Sequence, residues 1–411
     1  MKSRIAYLCS RYPAISHTFV MREIESLRDR GVEIETFTIR RSPARDLLSE
    51  ADRSADLSTH SLLPAAPSAL LRAHLAAASR HPARYLSTLL RALRLRPPGV
   101  RGVLWQVFYF GEAMLLWHEC VRREIEHVHV HFANVAADVA LLASHFGRLG
   151  AGLRSWSFTM HGPTEFYEVG AHRLAEKAAD AAFVVCISDF ARSQLMSLLD
   201  PSDWERLHVI RCGVDTDNLV PEELPLRNAG SLRILCVAQL SARKGQAVLL
   251  EAVAALCSEG IELSLTLAGD GPERSRLERQ AVELGLGKHV RFLGAVGHDR
   301  IPVLHREADV FCLPSFGEGL PVVLMEAMAL GTAVVATNVM AVAELVEHQR
   351  SGLLVPPGRS DALGVALRRL AQEPKLRRDL AEEARSRVVA DYDLRRSAQE
   401  LERLFGCVGS P

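Results

Sequence analysis

The sequence predicts an α/β fold with two doubly wound domains, and three observations carry that prediction. Short apolar runs alternate with longer amphipathic stretches along the 411 residues, as in repeated strand–helix units. Most of the runs are continuously apolar, which is typical of parallel strands covered by helices on both faces. Residues 221–230 form a short polar segment with prolines and a glycine, and a fresh apolar run begins at Arg233. We therefore place one domain before this segment and another after it.

The apolar runs have the length and composition of strands, and helical stretches such as 18–30 and 245–259 lie between them. In the first domain we predict strands at 5–9, 32–39, 128–131, 155–159, 183–187 and 207–210. In the second domain we predict strands at 233–237, 263–268, 290–293, 310–313, 333–336 and 353–355. Ligands of open α/β folds bind at the carboxyl ends of the strands, so we expect a cleft there.

The composition narrows the class of protein. Hydrophobic residues make up 48% of the chain, which excludes a disordered chain. The 49 Lys and Arg residues balance the 49 Asp and Glu residues, which argues against a partner made of nucleic acid. The eight cysteines form no CxxC pair, as in proteins of a reducing compartment. No window has the features of a signal peptide or a membrane span, so we expect a soluble cytosolic protein.

Residues 66–110 depart from this rhythm, because they hold seven arginines and no Asp or Glu. Several leucines run through the segment, and an aromatic group follows at Trp105, Phe108, Tyr109 and Phe110. Two interpretations stay open. The segment is either a basic amphipathic helical insert lying against an anionic membrane or an anionic acceptor, or a set of helices packed on the first domain with a solvated arginine face.

The strongest local signal lies between residues 314 and 326, directly after a predicted strand. The chain turns through Gly317 and Gly319 and then opens an apolar helix, an arrangement that favours a bound phosphate at the helix N-terminus. Glu318 lies in the turn, and Glu326 lies among apolar residues of the helix. A buried carboxylate needs a partner, so Glu326 either binds a ligand or caps a buried backbone group.

The spacing of Glu318 and Glu326 resembles the donor-site signature of retaining glycosyltransferases of family 4, which have the GT-B fold with two Rossmann-like domains. Other segments are similar to the branch of that family that builds exopolysaccharides such as colanic acid, and they follow the same order along nearly the whole chain. They are YPAISHTFV at 12–20, HVHFA at 129–133, FTMHG at 158–162, CIS at 186–188, IRCGVD at 210–215, KG at 244–245, AGDGP at 268–272 and GLLVP at 352–356.

The resemblance implies that a hexose moves from a nucleotide diphosphate sugar to an acceptor hydroxyl, with retained anomeric configuration and with no bound metal or other cofactor. UDP-sugars are expected as donors before GDP-mannose. The acceptor would be a lipid-linked or growing surface glycan, handled in the cytoplasm at the inner face of the membrane. The resemblance also implies an acceptor domain over 1–222, a donor domain over 231–385 and a C-terminal helix, within 386–411, that returns to the first domain.

Single residues receive roles from the same resemblance. Lys244 matches the lysine that contacts the departing diphosphate, a task for cations where no metal is bound, and Arg243 stands beside it. Glu326 matches the residue that accepts hydrogen bonds from the ribose, and Glu318 the one that holds the donor sugar without acting as a nucleophile. His161 matches a histidine that contacts the donor hexose. Further donor-binding positions are Gly269, Gly317, Gly319 and Leu320.

His127, His129 and His131 alternate along one predicted strand and therefore share one of its faces. Such a row can bind a metal, but the resemblance implies a reaction without one. His131 lies nearest the end of the strand and is the one of the three that we expect in the cleft. Ser16 precedes the helix predicted from Thr18, where it either caps the helix or contacts donor phosphate or acceptor.

Two positions depart from the family pattern. Gln239 stands where an arginine usually contacts the diphosphate, and it brings neither the charge nor the bidentate geometry of arginine. Residues 339–343 lack the two glycines often found before Glu344, which changes how closely the backbone approaches the donor. Two alternatives therefore stay open: a catalytically weak binding or scaffold member of a polysaccharide assembly system, and another enzyme of the same architecture, such as a nucleotide-sugar 2-epimerase or a phosphorylase.

Overall fold

The computed structural model describes residues 4–14, 18–148, 152–221 and 231–408. The chain forms two compact units, which we name the N unit (Met1–Arg211 with Ala398–Pro411) and the C unit (Cys212–Ser397). Each unit is built on one parallel β-sheet with helices between its strands, so the predicted α/β class with two doubly wound domains is confirmed. Ser16 and most of the predicted interdomain segment, 222–230, lie outside the described residues.

The N unit contains a seven-stranded sheet. In chain order its strands are β1 (Arg4–Cys9), β2 (Glu33–Arg40), β3 (His60–Leu63), β4 (His127–His131), β5 (Ser155–Met160), β6 (Val184–Cys186) and β7 (Leu207–Val209). In space the order is β3-β2-β1-β4-β5-β6-β7, and the neighbours are parallel. The sequence pattern does not predict β3, because this edge strand has four residues and begins with the polar pair His60 and Ser61.

Helices connect these strands. They are α1 (Thr18–Asp29), α2 (Glu50–Ser58), α3 (Pro67–Arg80), α4 (Pro82–Arg94), α5 (Val100–Arg122), α6 (Val135–Gly147), α7 (Thr164–Tyr167), α8 (Val169–His172), α9 (Leu174–Asp180) and α10 (Asp189–Met196). The segment 66–110 is helical as predicted, since it forms α3, α4 and the first half of α5. No helix of the described part of the chain is long and apolar enough to cross a bilayer.

The C unit contains a six-stranded parallel sheet with strands β8 (Leu232–Val237), β9 (Leu263–Ala268), β10 (Val290–Gly294), β11 (Val310–Leu313), β12 (Ala333–Thr337) and β13 (Leu353–Val355). The spatial order is β10-β9-β8-β11-β12-β13. Its helices are α11 (Gln246–Ser258), α12 (Arg274–Glu283), α13 (Ile301–Glu307), α14 (Val322–Ala329), α15 (Val342–Leu345), α16 (Ser360–Gln372) and α17 (Pro374–Asp391). Ile234, Leu250 and Leu367 belong to one core cluster that joins the sheet to α11 and α16.

The last helix, α18 (Leu394–Val408), packs in the N unit from Ala398 onward. Ala398, Leu401 and Phe405 belong to an apolar cluster with residues of β1 and α1. The Phe405 ring lies 6.1 Å from the Tyr7 ring, measured between centroids. A second cluster joins the sheet to α5 and α6, so the N-unit sheet is covered on both faces.

Strand β4 has the sequence HVHVH, and all five of its residues are buried because both faces of the sheet are covered. Val128 and Val130 belong to the cluster with α5 and α6. Because side chains alternate along a strand, the three histidines lie on the other face, where Phe405 packs 5.8 Å from His127 and 5.3 Å from His129, measured between centroids. The fold therefore places a row of imidazoles under an apolar cover.

Candidate active site

Two loops at one edge of the C-unit sheet carry most of the predicted donor-site residues. One follows β8 and ends in a 3₁₀ turn, Ala242–Lys244, and the other runs from Pro314 to Pro321 after β11. β8 and β11 are parallel neighbours, so their carboxyl ends meet at the same edge of the sheet. This is the edge at which open α/β sheets bind ligands.

The central contact joins Lys244 to Glu318. The Lys244 ammonium Nζ donates to Glu318 Oε1 over 2.6 Å, and the Ser315 hydroxyl donates to the same oxygen over 2.5 Å. Both charged side chains are largely enclosed, with exposed fractions of 15% for Lys244 and 7% for Glu318. A shielded ion pair of this kind is oriented before any ligand arrives, and its charges are screened less by salt than surface charges.

Arg243 points to the same loop as Lys244. Its guanidinium Nη1 donates to the Gly317 carbonyl over 2.9 Å, and its own carbonyl accepts from the Phe316 amide over 2.8 Å. The two neighbouring cations therefore both lie against residues 315–318. Gly317 and Leu320 are buried, and Gly319 is half-buried. The arrangement concentrates positive charge beside a glycine-containing turn, which suits a bound anion.

Two glycines hold these loops close together. Gly245 has φ +66°, and a Cβ atom there would lie 2.0 Å from the Pro314 carbonyl oxygen. Gly269, which follows β9, has φ +144°, and a Cβ atom there would lie 1.9 Å from the Ala238 carbonyl oxygen. Positive φ and so close a backbone approach are both conditions that only glycine meets without strain. The predicted residues Gly269 and Lys244 thus belong to loops that pack on one another's backbone.

Glu326 lies in the second turn of α14 with an exposed fraction of 6%. Its neighbours Met325, Ala327 and Met328 are fully buried. Gln239 differs from these residues because it is exposed, and its carbonyl accepts from the Gln246 amide Nε2 over 2.9 Å. The side chain at the position of the expected arginine is therefore uncharged.

The segment that lacks the family glycines keeps a backbone conformation that glycine favours. Met340 has φ +45°, which places a residue with a side chain in the left-handed region at a cost of about 1 kcal/mol. Behind it, the Tyr392 hydroxyl and the Arg387 guanidinium donate to the Glu344 carbonyl over 2.6 and 2.8 Å. Met340 therefore adopts a backbone conformation that glycine takes without a steric penalty.

In the N unit the structure brings the predicted residues His131 and His161 together with other polar residues. His131 Nδ1 lies 2.9 Å from His161 Nε2, and His131 Nε2 lies 3.2 Å from Glu23 Oε1. The Tyr7 hydroxyl donates to that carboxylate oxygen over 2.8 Å. His129 lies next to His131, with ring centroids 5.4 Å apart. The partnership of Glu23 and Tyr7 with these histidines has no spacing signal in the sequence, because it joins α1, β1 and β4.

The other two histidines of β4 bond to hydroxyls of β5. His127 lies 2.8 and 2.7 Å from the hydroxyls of Ser155 and Ser157, and His129 lies 2.7 and 2.9 Å from those of Ser157 and Thr159. Burial lowers the pKa of His127 to about 3 and the pKa of His129 well below its usual range. Both rings are therefore neutral hydrogen-bonding groups at physiological pH.

Glu23, His129 and His131 offer ligand atoms within 4.8 Å of one another, a spacing that a metal ion could use. Two of the three residues already have partners, however, because both His129 nitrogens lie at the β5 hydroxyls and Glu23 accepts from Tyr7. A metal here would have to displace those bonds. The prediction of a metal-free reaction stays a prediction.

Comparison with known proteins shows that part of the chain matches a protein family. Residues 224–387 match the family of glycosyl transferases group 1. The α-D-kanosaminyltransferase of Streptomyces kanamyceticus is 29% identical over 76% of this chain and 86% of its own length. The putative colanic acid biosynthesis glycosyltransferase WcaL of Salmonella typhimurium is 26% identical over 98% of this chain and 99% of its own.

A third relative is more similar over a shorter stretch. The GDP-mannose-dependent α-(1-6)-phosphatidylinositol monomannoside mannosyltransferase of Mycobacterium tuberculosis is 34% identical over 55% of this chain, and the match spans 62% of that protein. For several relatives, then, this chain matches about half to two thirds of their length.

Solved structures agree over nearly the whole chain. Sucrose-phosphate synthase from Thermosynechococcus elongatus has a TM-score of 0.73 and 21% identity over 98% of this chain and 99% of its own. HepE of Anabaena in complex with UDP and glucose has a TM-score of 0.74 and 19% identity over 98% of this chain and 100% of its own. These similarities show the GT-B fold. Residues 224–387 are thus similar to glycosyl transferases group 1, and nearly the whole chain is similar to the putative glycosyltransferase WcaL.

Proposed function

We propose that the protein is a retaining glycosyltransferase of family 4 that moves a hexose from a nucleotide diphosphate sugar to a hydroxyl of a lipid-linked or growing surface glycan, without a bound metal. One observation carries this proposal. Lys244, Arg243, Ser315 and Glu318 converge at the carboxyl edge of the C-unit sheet, within the part of the chain that matches the family. The cluster holds both a cationic group for a diphosphate and a carboxylate for sugar hydroxyls.

The chemistry of transfer follows from these groups. As the bond between the sugar and the diphosphate breaks, negative charge grows on the leaving oxygen, and a preorganised cation stabilises that charge. Lys244 is held 2.6 Å from Glu318 Oε1 before the donor binds. A bound donor would give Lys244 a phosphate oxygen as partner and Glu318 the hydroxyls of the hexose. Each charge-assisted hydrogen bond contributes about 1.5–3 kcal/mol.

Other residues would complete the site. Glu326, enclosed among apolar neighbours, would accept hydrogen bonds from the ribose hydroxyls. His161 of the N unit would contact the donor hexose. UDP-sugars are the first candidates and GDP-mannose the second. The HepE structure named above contains UDP, and the mycobacterial relative is named as GDP-mannose-dependent, so both bases belong in the test.

A binding panel tests the proposal. We expect one nucleotide sugar among UDP- and GDP-hexoses to raise the melting temperature of the wild-type protein, because a ligand that binds only the folded state stabilises it. Lys244→Ala and Glu326→Ala should abolish that rise. Lys288→Ala is the matched control, since it removes an exposed lysine from the same unit and should keep the rise.

No rise with any donor, or a rise that survives in both variants, would contradict the proposed site. The protein would then be better explained as a catalytically weak binding or scaffold member of a polysaccharide assembly system. The observation that favours this second candidate function is the exposed Gln239 in place of the arginine. Conversion of the donor sugar without an acceptor would instead indicate a 2-epimerase.

The acceptor side of the proposal rests on α3, α4 and α5 of the N unit, which we propose lie against an anionic membrane. On α5, Arg101, Leu104, Trp105 and Phe108 share one helical face, and Trp105 and Phe108 are 49% and 62% exposed. Such side chains are usually buried. The exposed large apolar side chains of this region are Leu70, Leu71, Leu75, Leu86, Leu90, Val100, Leu104, Trp105, Val107 and Phe108.

The positive charge of residues 66–110 favours an anionic partner. Five arginines of the same segment are exposed, at positions 72, 80, 94, 96 and 101, and residues 66–110 include no acidic residue. Exposed apolar groups among cationic ones fit a bilayer that contains anionic lipids. The inner side of the helices packs on the N unit, where Ala77, Ala92 and Phe110 belong to the core cluster. One side of these helices would then pack on the N unit while the other side contacts the membrane.

Vesicle flotation tests the membrane contact. We expect the wild-type protein to float with vesicles of phosphatidylcholine and phosphatidylglycerol and not with phosphatidylcholine alone. The pair Trp105→Ser and Phe108→Ser should weaken binding at least tenfold, since burying each large apolar side chain is worth about 1.5–3 kcal/mol. The pair Val282→Ser and Val365→Ser removes residues of the C unit that are 73% and 57% exposed and should bind as wild type does. Absence of flotation with anionic vesicles, or equal loss in both pairs, would refute the proposed surface.

A further inference from the structure

His161 is linked to a carboxylate through a second imidazole. His161 Nε2 lies 2.9 Å from His131 Nδ1, and His131 Nε2 lies 3.2 Å from Glu23 Oε1. His131 is fully buried, and its Nε2 makes no hydrogen bond to the residues that the structure describes, so the nearby Glu23 carboxylate acts on it through its charge. The three side chains come from α1, from the end of β4 and from the turn after β5, so tertiary structure alone assembles them.

The protonation of His131 and His161 follows from the charge of the Glu23 carboxylate. Burial and the adjacent Glu23 raise the pKa of the Tyr7 hydroxyl, so Tyr7 donates and the Glu23 carboxylate accepts. An anionic oxygen 3.2 Å away favours a proton on His131 Nε2. In a neutral ring that leaves a lone pair on Nδ1, which must accept from its partner. His161 then carries its proton on Nε2, and its Nδ1 is the accepting nitrogen.

We propose that Glu23 and His131 are positioning residues that hold His161 as the neutral tautomer protonated on Nε2. Phe19 and Phe132 fix the ring plane further, with centroids 4.7 and 4.6 Å from that of His161. A histidine held in this form is neutral and does not add a positive charge beside the sugar. A base whose orientation and tautomer are set by a second group is a recurrent arrangement in active sites.

This inference rests on the proposed function only for the hexose as ligand of His161. The tautomer itself can be read without turnover. Long-range proton–nitrogen correlation spectra of protein with ¹⁵N-labelled histidine distinguish the two ring nitrogens, and the His161→Gln spectrum identifies the His161 signals. We expect a neutral His161 with its proton on Nε2. A proton on Nδ1 of wild-type His161 would overturn the inference.

Kinetics give the second readout. His131→Leu removes the acceptor of His161 Nε2, and we expect kcat to fall at least tenfold with little change in KM for the donor. His131→Asn keeps an oxygen near the place of Nδ1 and should restore most of kcat and the tautomer. His127→Leu is the matched control, because it removes a buried histidine of the same strand that bonds to Ser155 and Ser157 instead.

Equal losses of kcat in His131→Leu, His131→Asn and His127→Leu would reduce His131 to a structural residue and contradict the inference. Should His131→Leu fail to fold, Glu23→Gln takes its place, since this helix position is 17% exposed. We expect Glu23→Gln to lower kcat about threefold to tenfold and to weaken the Nε2 preference of His161. A wild-type protein without turnover on any donor would defeat the proposed function, while the tautomer measurement would still decide this inference.

Discussion

Gly245→Ala is expected to destabilise the C unit strongly and to disperse the charge cluster that Lys244 belongs to. Gly245 has φ +66°, and the new Cβ would lie 2.0 Å from the Pro314 carbonyl oxygen. A left-handed alanine costs about 1 kcal/mol, and the backbone clash adds about 1–3 kcal/mol. The free energy of unfolding should therefore fall by roughly 2–4 kcal/mol, which lowers the melting temperature by about 4–16 °C.

The chain supplies a close control in Gly285→Ala. Gly285 has φ +71°, and no atom lies within 4 Å of the position of a Cβ, so this variant has the conformational cost without the clash. Thermal unfolding should show a loss near 1 kcal/mol for Gly285→Ala and a clearly larger one for Gly245→Ala. Equal losses would mean that the loops after β8 and β11 are not held as closely as the structure shows.

Much of the C-unit site could be predicted because its residues lie in continuous motifs. Gly317, Glu318 and Glu326 fall within one turn and the helix behind it, and strand continuity places that turn at the carboxyl edge of the sheet. The partners could not be predicted in the same way. Lys244 and Glu318 are 74 positions apart in the chain, and Ser315 becomes a donor only because the turn bends back on itself.

In the N unit, fewer of the contacts around the histidines could be predicted from the sequence. β4 alternates histidine and valine, a pattern that shows a shared histidine face but not what covers it. The cover includes Phe405 from the last helix, and Glu23 reaches His131 from the first helix. Contacts between the two ends of a unit leave no periodic signal. β3 escaped prediction for another reason, since an edge strand of four residues needs little apolar sequence.

Glu318→Gln is expected to fold as the wild type does and to lose turnover by about 10²–10³-fold, the usual cost of removing one group that acts on the transition state. The amide keeps the size of the side chain and an oxygen for Ser315 and Lys244. It no longer offers a negative charge to the donor sugar. Because Lys244 is also released from a full ion pair, the donor diphosphate should bind as tightly as before or more tightly.

This separation of binding from turnover distinguishes a catalytic role from a structural one. A carboxylate that only held the loop together would, on removal, weaken donor binding and turnover in parallel. Glu283→Gln serves as the control, since it neutralises an exposed glutamate at the end of α12 in the same unit. Its kcat and its donor affinity should both match those of the wild type.

The measurement that tests the central claim most directly is the initial rate of nucleoside diphosphate release with the stabilising donor, for the wild type, Glu318→Gln and Glu283→Gln, alongside donor affinity by calorimetry. If the C-unit cluster is the transfer site, the rate should be at least a hundredfold lower in Glu318→Gln than in the wild type, while the donor affinity should not fall. The rate and the donor affinity of Glu283→Gln should match those of the wild type. A Glu318→Gln rate near that of the wild type would contradict the claim that this cluster is where the sugar is transferred.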